Sequence, residues 1–297
     1  MAPLDIAFIT VNYNTVDYVK QLTSFFHGLH APFTFSFTVV DNNSEDGSQE
    51  FLRSHSDVNY IQAGKNIGYG RAINRGVAAT TSGYICVMNT DIVLNYEALI
   101  ALWRFMEEHP GVGVCAPRLL YEDGRSQGMI FEASLFSHYF QWYAKVRART
   151  AKTKLAQTLV PLQVDGVMGA FFLIRRSVIS PPALFDEDFF FFYEDSALSH
   201  SLLNRGVPCF ILPDAAIIHV GGKSRSESSV SVFYRSKYLY LKKFYGPFHA
   251  RAIGLVDRAR ILRKWFTYSL LSKLLGSQRL KHKQRHYHHA WNASRLK

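Results

Sequence analysis

Phe35-Ser36-Phe37-Thr38-Val39-Val40 runs straight into Asp41-Asn42-Asn43-Ser44. The first six residues are aromatic and β-branched, which suits a strand. The next four form a turn-rich cluster, and an acid stands at the junction. Either side of this stretch the pattern repeats. Upstream, residues 6–12 are another apolar, β-branched run, and residues 16–29 carry Val19, Leu22, Phe25, Phe26 and Leu29 at helical spacing. Downstream, a short helix is predicted over 45–54, a strand over 58–62 and a helix over 67–79 stopped near Ser82-Gly83. A strand over 84–88 and a helix over 95–108, closed by Pro110-Gly111, complete the series. Strand–helix alternation predicts an α/β fold with a mainly parallel sheet flanked by helices. In such sheets ligands sit at the carboxyl ends of strands. Asp41 and Asp91 fall at two such ends, although an acid there also serves as a turn former or cap.

After residue 112 the pattern loosens. Strands are expected over 112–117 and 164–174, with a basic helical or irregular insertion over 135–159 between them. Residues 185–195 read Phe-Asp-Glu-Asp-Phe-Phe-Phe-Phe-Tyr-Glu-Asp, five acids among six aromatics. Four consecutive Phe cannot all be solvated, so this segment suggests carboxylates at the wall of a partly dry cleft. Burial and like-charge neighbours raise carboxyl pKa values there, which suits a general base. A helix over 196–204 follows, stopped by Gly206, and Asp195 at its start is either an N-cap or that base. Short strands are expected over 209–212 and 217–219. They end at His219 and a loop, Val220-Gly221-Gly222-Lys223-Ser224, where the histidine is either structural or a ligand.

The 297 residues carry 34 Lys+Arg against 23 Asp+Glu, a net charge of +11. Residues 1–234 hold 18 basic and 22 acidic residues; residues 235–297 hold 16 basic residues and one acid, Asp257. The chain therefore divides into a mildly acidic body over 1–234 and a basic tail over 235–297. The tail reads as amphipathic helices over 230–245 and 251–275. In the second, Ala252, Leu255, Ala259, Leu262, Phe266 and Leu270 recur every three or four residues, with Arg251, Arg258, Arg260, Arg263 and Lys264 outside the stripe. That is the pattern of an interfacial helix, and Arg258, Arg260, Arg263, Lys264, Trp265 and Phe266 are its expected docking residues on an anionic membrane surface. The competing reading packs the stripe on the body and leaves the charges solvated. Nucleic acid is disfavoured as a partner, because the positive charge is confined to the tail and no nucleic-acid motif occurs.

Cys86, Cys115 and Cys209 lie in apolar runs and read as buried, reduced thiols. No stretch approaches the ~20 apolar residues of a membrane span, and the N-terminus lacks a signal-type pattern. The expected location is cytoplasmic, peripheral on the inner face of the plasma membrane. Asn42-Asn43-Ser44 and Asn292-Ala293-Ser294 read as chance glycosylation matches, and Gly64-Lys65 and Gly68-Tyr69-Gly70 complete no phosphate-loop fingerprint. His282, His286, His288 and His289 read as a pH-sensitive part of the tail, with a metal site as the alternative.

Seven pieces in order resemble the family-2 glycosyltransferases of GT-A fold, in the rhamnosyltransferase-type branch that builds bacterial surface polysaccharides. They are Val11-Asn12-Tyr13-Asn14, the run from Val39 to Ser48, the run from Asn66 to Gly76, Met88-Asn89-Thr90-Asp91, Gly169-Ala170-Phe171, Phe185-Asp186-Glu187 with Glu194-Asp195, and His219-Val220-Gly221-Gly222. The resemblance covers roughly residues 5–245 and implies roles. Asp41 would accept from the ring N–H of a uracil or thymine, with Asn12 and Asn14 shaping that pocket. Asn66 and Asn89 belong to the nucleotide-sugar site, and Arg71 would meet the base or phosphates. Asp91, the surviving acid of a D-x-D-like element whose first position is Asn89, would bind Mg²⁺ or Mn²⁺ together with His219. Asp195 would be the catalytic base of an inverting displacement, and Glu194 either the alternative base or a residue that caps or holds the acceptor. The implied donor is a nucleotide-diphosphate sugar, dTDP-rhamnose first and a UDP-sugar second. The implied acceptor is a polyprenyl-diphosphate-linked oligosaccharide. A catalytically dead sugar-nucleotide module is disfavoured by the retained acids, and a nucleotidyltransferase by the missing Gly-rich signature after the first strand.

Overall fold

In the computed structural model, which describes residues 5–127, 131, 133–180, 183–221 and 227–294, the first strand feeds two cores. Strand β1 (Ile6–Asn12) sends Ile6 and Phe8 to one core and Ala7 and Ile9 to the other. A parallel strand covered on both faces has no polar side, which is why it reads as a continuous apolar run. Helix α1 (Val16–His27), β2 (Phe35–Asp41), α2 (Ser48–Arg53), β3 (Asn59–Gln62), α3 (Tyr69–Ala78) and β4 (Tyr84–Met88) follow as the alternation predicts. β1 pairs in parallel with β2 and β4, and β2 with β3. α1 closes one face through Val19, Leu22 and Phe26; α3 closes the other through Ile73 and Val77. α3 can approach β1 because Gly76 faces it: a Cβ there would lie 2.5 Å from Ile9.

The second half departs from expectation in three places. A two-residue strand, β5 (Ile92–Val93), precedes α4 (Tyr96–Glu108), whose N-cap Asn95 accepts from the Ala98 N–H at 3.1 Å. β6 (Val114–Leu120), α5 (Leu135–Tyr139) and α6 (Gln141–Gln157) come next. The strand expected over 164–174 is instead two, β7 (Leu162–Val164) and β8 (Phe171–Arg175), with the Gly166 to Ala170 loop between them. A Cβ at Gly166 would lie 2.2 Å from Ser199, so this loop packs directly on α7 (Glu194–Asn204) and cannot run on as a strand. Conversely, the two short strands expected over 209–219 are one, β9 (Cys209–His219). Its Pro213-Asp214 is absorbed where the register against β6 shifts between Pro117 and Arg118. The described strands form one mixed sheet in the order β3-β2-β1-β4-β8-β6-β9-β5, with β7 also on β9. The three cysteines are free and buried; burial pushes their thiols up, Cys209 to about 11.

The chain forms two compact units. The first comprises residues 1–133, 145–190 and 194–221 and holds the sheet; the second comprises 134–144, 191–193 and 222–297. The expected boundary at 234/235 falls inside α8 (Glu227–Leu275), which with α9 (Gln278–Ser294) makes up most of the second unit. α8 breaks at Gly246 (φ 86°), just before Pro247. Asp257, the one acid of the tail, is buried and bonded to Lys237 Nζ at 2.5 Å and Arg260 Nη1 at 3.2 Å. Arg260 also donates to the Tyr139 carbonyl. The six residues expected to dock on a membrane therefore separate. Arg263 and Phe266 are exposed. Arg260 is committed to Asp257, Lys264 lies 5.2 Å from the Tyr287 ring, Trp265 is half-buried beside His288, and Arg258 is half-buried. The apolar stripe stays open, with Leu255 64 % and Phe266 67 % exposed.

Candidate active site

The short pairing of β5 with β9 sets Ile92 opposite His219, and so brings Asp91 to the histidine. Asp91 Oδ1 lies 3.3 Å from His219 Nε2, both side chains being largely buried. Asp91 Oδ2 accepts from the Gly221 N–H at 3.0 Å, and its carbonyl accepts from the Val220 N–H at 3.0 Å. Burial alone would raise the Asp91 carboxyl. A protonated His219, through its hydrogen bond and charge, together with the Gly221 N–H, outweighs it and holds the group below its ordinary value. Asn89 Nδ2 lies 3.4 Å from His219 Nε2, and Gln127 holds the far side of the ring, its Oε1 2.9 Å from Nδ1. Gly222, Lys223 and Ser224, the rest of the expected loop, lie outside the described residues.

Asp195 is linked to this group through two residues, Gly169 and Ala170. Its Oδ2 accepts from the Gly169 N–H at 2.9 Å, while the Ala170 carbonyl accepts from the Asn89 N–H at 2.9 Å. Gly169-Ala170 thus holds the expected base on one side and the D-x-D-like element on the other. The second Asp195 oxygen accepts from the Ser196 N–H at 2.6 Å, inside the first turn of α7. Glu194, in the same turn, is 6 % exposed and its Oε2 has no hydrogen-bond partner. Burial first, then the charge of Asp195, raise its carboxyl to about 8. Tyr69, whose hydroxyl donates to the Gly169 carbonyl at 3.2 Å, is pushed well above its ordinary value by burial and then by Glu194, Asp195 and Asp91. The loop before α3 reaches this region because Gly68 (φ 90°) has no Cβ; one there would lie 2.3 Å from the Phe190 carbonyl oxygen.

At the ends of β1 and β2, Asp41 is fully buried. Its Oδ1 accepts from Asn12 Nδ2 at 2.7 Å and its Oδ2 from the Ser44 N–H at 2.9 Å. Asn12 Oδ1 accepts from Thr15 Oγ1 at 2.6 Å, and Thr15 bonds Thr90 Oγ1 at 3.0 Å. A continuous chain of bonds therefore runs from Asp41 to the residue between Asn89 and Asp91. Asn14 (φ 55°) accepts from the Glu45 N–H at 2.7 Å and its own N–H donates to Ser44 Oγ, so it shapes the turn. Asn66 and Arg71 stand outside this chain. Asn66 accepts from the Gly68 N–H at 3.0 Å, and exposed Arg71 donates from Nε to the Glu187 carbonyl at 2.9 Å. Thr15, Ser44, Thr90 and Gln127 are the residues the sequence reading missed. Ser44 and Thr90 lie inside the motifs that carry the family resemblance, whereas Gln127 carries no signal, because it lies 92 residues from its partner.

Among the described residues no group of three or more His, Cys, Asp and Glu gathers that could hold a metal ion. Asp91 Oδ1 and His219 Nε2 nevertheless converge from adjacent strands. A carboxylate oxygen with an imidazole nitrogen is a donor set that suits Mg²⁺ or Mn²⁺, if phosphate oxygens and water complete the shell. The pair fits such a cation on these grounds.

A sequence description of glycosyl transferase family 2 matches residues 8–180. The chain is 26 % identical over 246 residues to the low-salt glycan biosynthesis hexosyltransferase Agl10 of Haloferax volcanii, covering 79 % of this chain and 75 % of that protein. It is 24 % identical over 229 residues to the N-acetylglucosaminyl-diphospho-decaprenol L-rhamnosyltransferase of Mycobacterium tuberculosis, covering 69 % of this chain and 74 % of that protein. Among solved structures, the mannosyltransferase PcManGT of Pyrobaculum calidifontis, in complex with GDP-Man and Mn²⁺, superposes with a TM-score of 0.58 at 14 % identity. That match covers 99 % of this chain and 86 % of that one, a likeness of fold.

Proposed function

The chain belongs to glycosyl transferase family 2, and from that premise we propose that it transfers a hexose, L-rhamnose first among candidates, from a nucleoside diphosphate to a hydroxyl of a lipid-linked oligosaccharide. The observation that carries this reading is the Gly169-Ala170 pair of residues, whose Gly169 N–H donates to Asp195 and whose Ala170 carbonyl accepts from the Asn89 N–H. That link supports reading Asp195 as the proton acceptor and Asp91 with His219 as the cation-binding pair, the two parts that displacement of a diphosphate by a hydroxyl requires. Asp195 takes the proton of the acceptor hydroxyl as that oxygen attacks the anomeric carbon from the face opposite the leaving diphosphate, so the configuration inverts. Asp91 and His219 would hold the divalent cation, which when bound would supply positive charge against the leaving diphosphate. Asp41 is the carboxylate read as partner to the ring N–H of a uracil or thymine. Being fully buried, it would meet the base only once the turn at residues 42–44 moves aside, and its bonds through Asn12, Thr15 and Thr90 link that pocket to the cation site. Exposed Arg71 is available to the phosphates.

The acceptor assignment leans on the decaprenol-linked acceptor in the name of the mycobacterial relative and on the exposed apolar stripe of α8 with its surrounding cations. That surface supports docking on the anionic cytoplasmic face of the plasma membrane. Among the described residues no helix is long and apolar enough to cross a membrane. The test of the transfer reading is a donor screen with Mg²⁺ or Mn²⁺ present that detects released nucleoside diphosphate. Acceptor-dependent release from dTDP-rhamnose is expected, with a UDP-sugar as the second possibility; release from neither would remove the reading.

A further inference from the structure

Gln127 makes three hydrogen bonds around His219, and their polarity is forced. Its amide Nε2, which only donates, reaches two backbone carbonyls: that of His219 at 2.6 Å and that of Leu120 at 3.3 Å. Turning the amide over would set its oxygen against both carbonyl oxygens. Oε1 is therefore the atom 2.9 Å from His219 Nδ1, and an amide oxygen only accepts. The ring proton consequently sits on Nδ1, and in the neutral ring Nε2 is left bare. Asn89 agrees with this: its Nδ2 lies 3.4 Å from Nε2, within reach of an accepting ring nitrogen. Bare Nε2 faces Asp91 Oδ1 at 3.3 Å. Two acceptors that close repel unless a cation or a proton stands between them.

We propose that Gln127 is the positioning residue of this site, locking His219 with its proton on Nδ1 so that Nε2 stays open as a ligand to a divalent cation beside Asp91. The inference rests on the reading of Asp91 and His219 as a cation pair. Gln127 is itself well anchored. Its N–H donates to the Leu119 carbonyl at 2.9 Å, at the end of a tight turn in which the Tyr121 N–H bonds the Arg125 carbonyl. Partners of this kind to metal-bound histidines orient the ring and choose the tautomer. A neutral amide does so without adding negative charge beside a diphosphate.

The test uses the full chain. Nitrogen-15 spectra of the metal-free protein, taken on the neutral ring, report which nitrogen carries the proton. Binding of Mn²⁺ in the presence of thymidine diphosphate is followed by electron paramagnetic resonance. Wild type is expected to show the proton on Nδ1. Gln127→Leu is expected to shift it towards Nε2 and to weaken Mn²⁺ about 10- to 100-fold, with metal-free nucleotide binding unchanged. A neutral wild-type ring protonated on Nε2, or unchanged Mn²⁺ affinity in Gln127→Leu, would overturn the inference. Should Gln127→Leu not fold, Gln127→Met, unbranched and closer in length, carries the same test. If His219→Ala keeps wild-type Mn²⁺ affinity, the cation pair itself is wrong. The two failures are distinguishable, because the ring spectrum needs neither metal nor nucleotide.

Discussion

Glu194 and Asp195 are adjacent, yet their surroundings divide them. Asp195 takes one backbone N–H on each oxygen, from Gly169 and Ser196. Glu194 is buried, its Oε2 has no partner, and burial with the charge of Asp195 raises its carboxyl to about 8. In the unfolded chain that carboxyl titrates near 4.5. Between those values the folded protein holds a proton that the unfolded chain has released, so stability falls as pH rises through the window. We expect denaturant unfolding to show a loss on the order of 2 kcal/mol from pH 5 to 8, after allowance for the coupling with Asp195. Glu194→Gln should flatten that dependence; parallel profiles for wild type and variant would mean that Glu194 ionises normally. At this scale the acids were legible, because Asp41, Asp91 and Asp195 follow strands or open a helix. Their supports were not. Thr15 meets Thr90 across 75 residues and Gln127 meets His219 across 92, and no local periodicity encodes such pairs.

Among elements, the first half of the sheet was readable for a physical reason. β1 and β4 are buried on both faces and read as nearly all apolar, β2 adds Val39 and Val40 after alternating Ser36 and Thr38 with Phe35 and Phe37, and the helices between them each turn one apolar stripe to a core. The second half misleads where local chemistry and tertiary packing disagree. Pro213-Asp214 signals a turn, yet β9 continues through it by shifting register against β6. The apolar residues before and after the Gly166 to Ala170 loop suggest one strand, but the close approach to Ser199 breaks it. β5 is two residues long, below any periodicity test, and it is the element that carries Asp91 to His219. Phe192 and Tyr193 precede α7 with φ of 65° and 68°. Two consecutive non-glycine residues in the left-handed region cost about 1–3 kcal/mol each, and they stand directly before Glu194-Asp195.

On the scale of the whole molecule, the charge split resolves into specific jobs. Asp257 pairs with Lys237 and Arg260, so those cations serve the fold. Arg263 stays exposed beside Leu262, Phe266 and Leu270, which are 41, 67 and 51 % exposed. That open stripe predicts retention on vesicles containing phosphatidylglycerol. Combining Leu262→Ser with Phe266→Ser should reduce retention about tenfold or more, with the fold intact by circular dichroism; unchanged retention would assign the stripe to something other than lipid. The transfer reaction rests on a different part of the chain, and its central claim is that Asp195 receives the acceptor proton. Acceptor-dependent release of nucleoside diphosphate by Asp195→Asn, compared with wild type at equal nucleotide occupancy, tests this most directly. A fall of about 10²- to 10⁴-fold is expected, with nucleotide affinity unchanged. Release at a rate near that of wild type would contradict it.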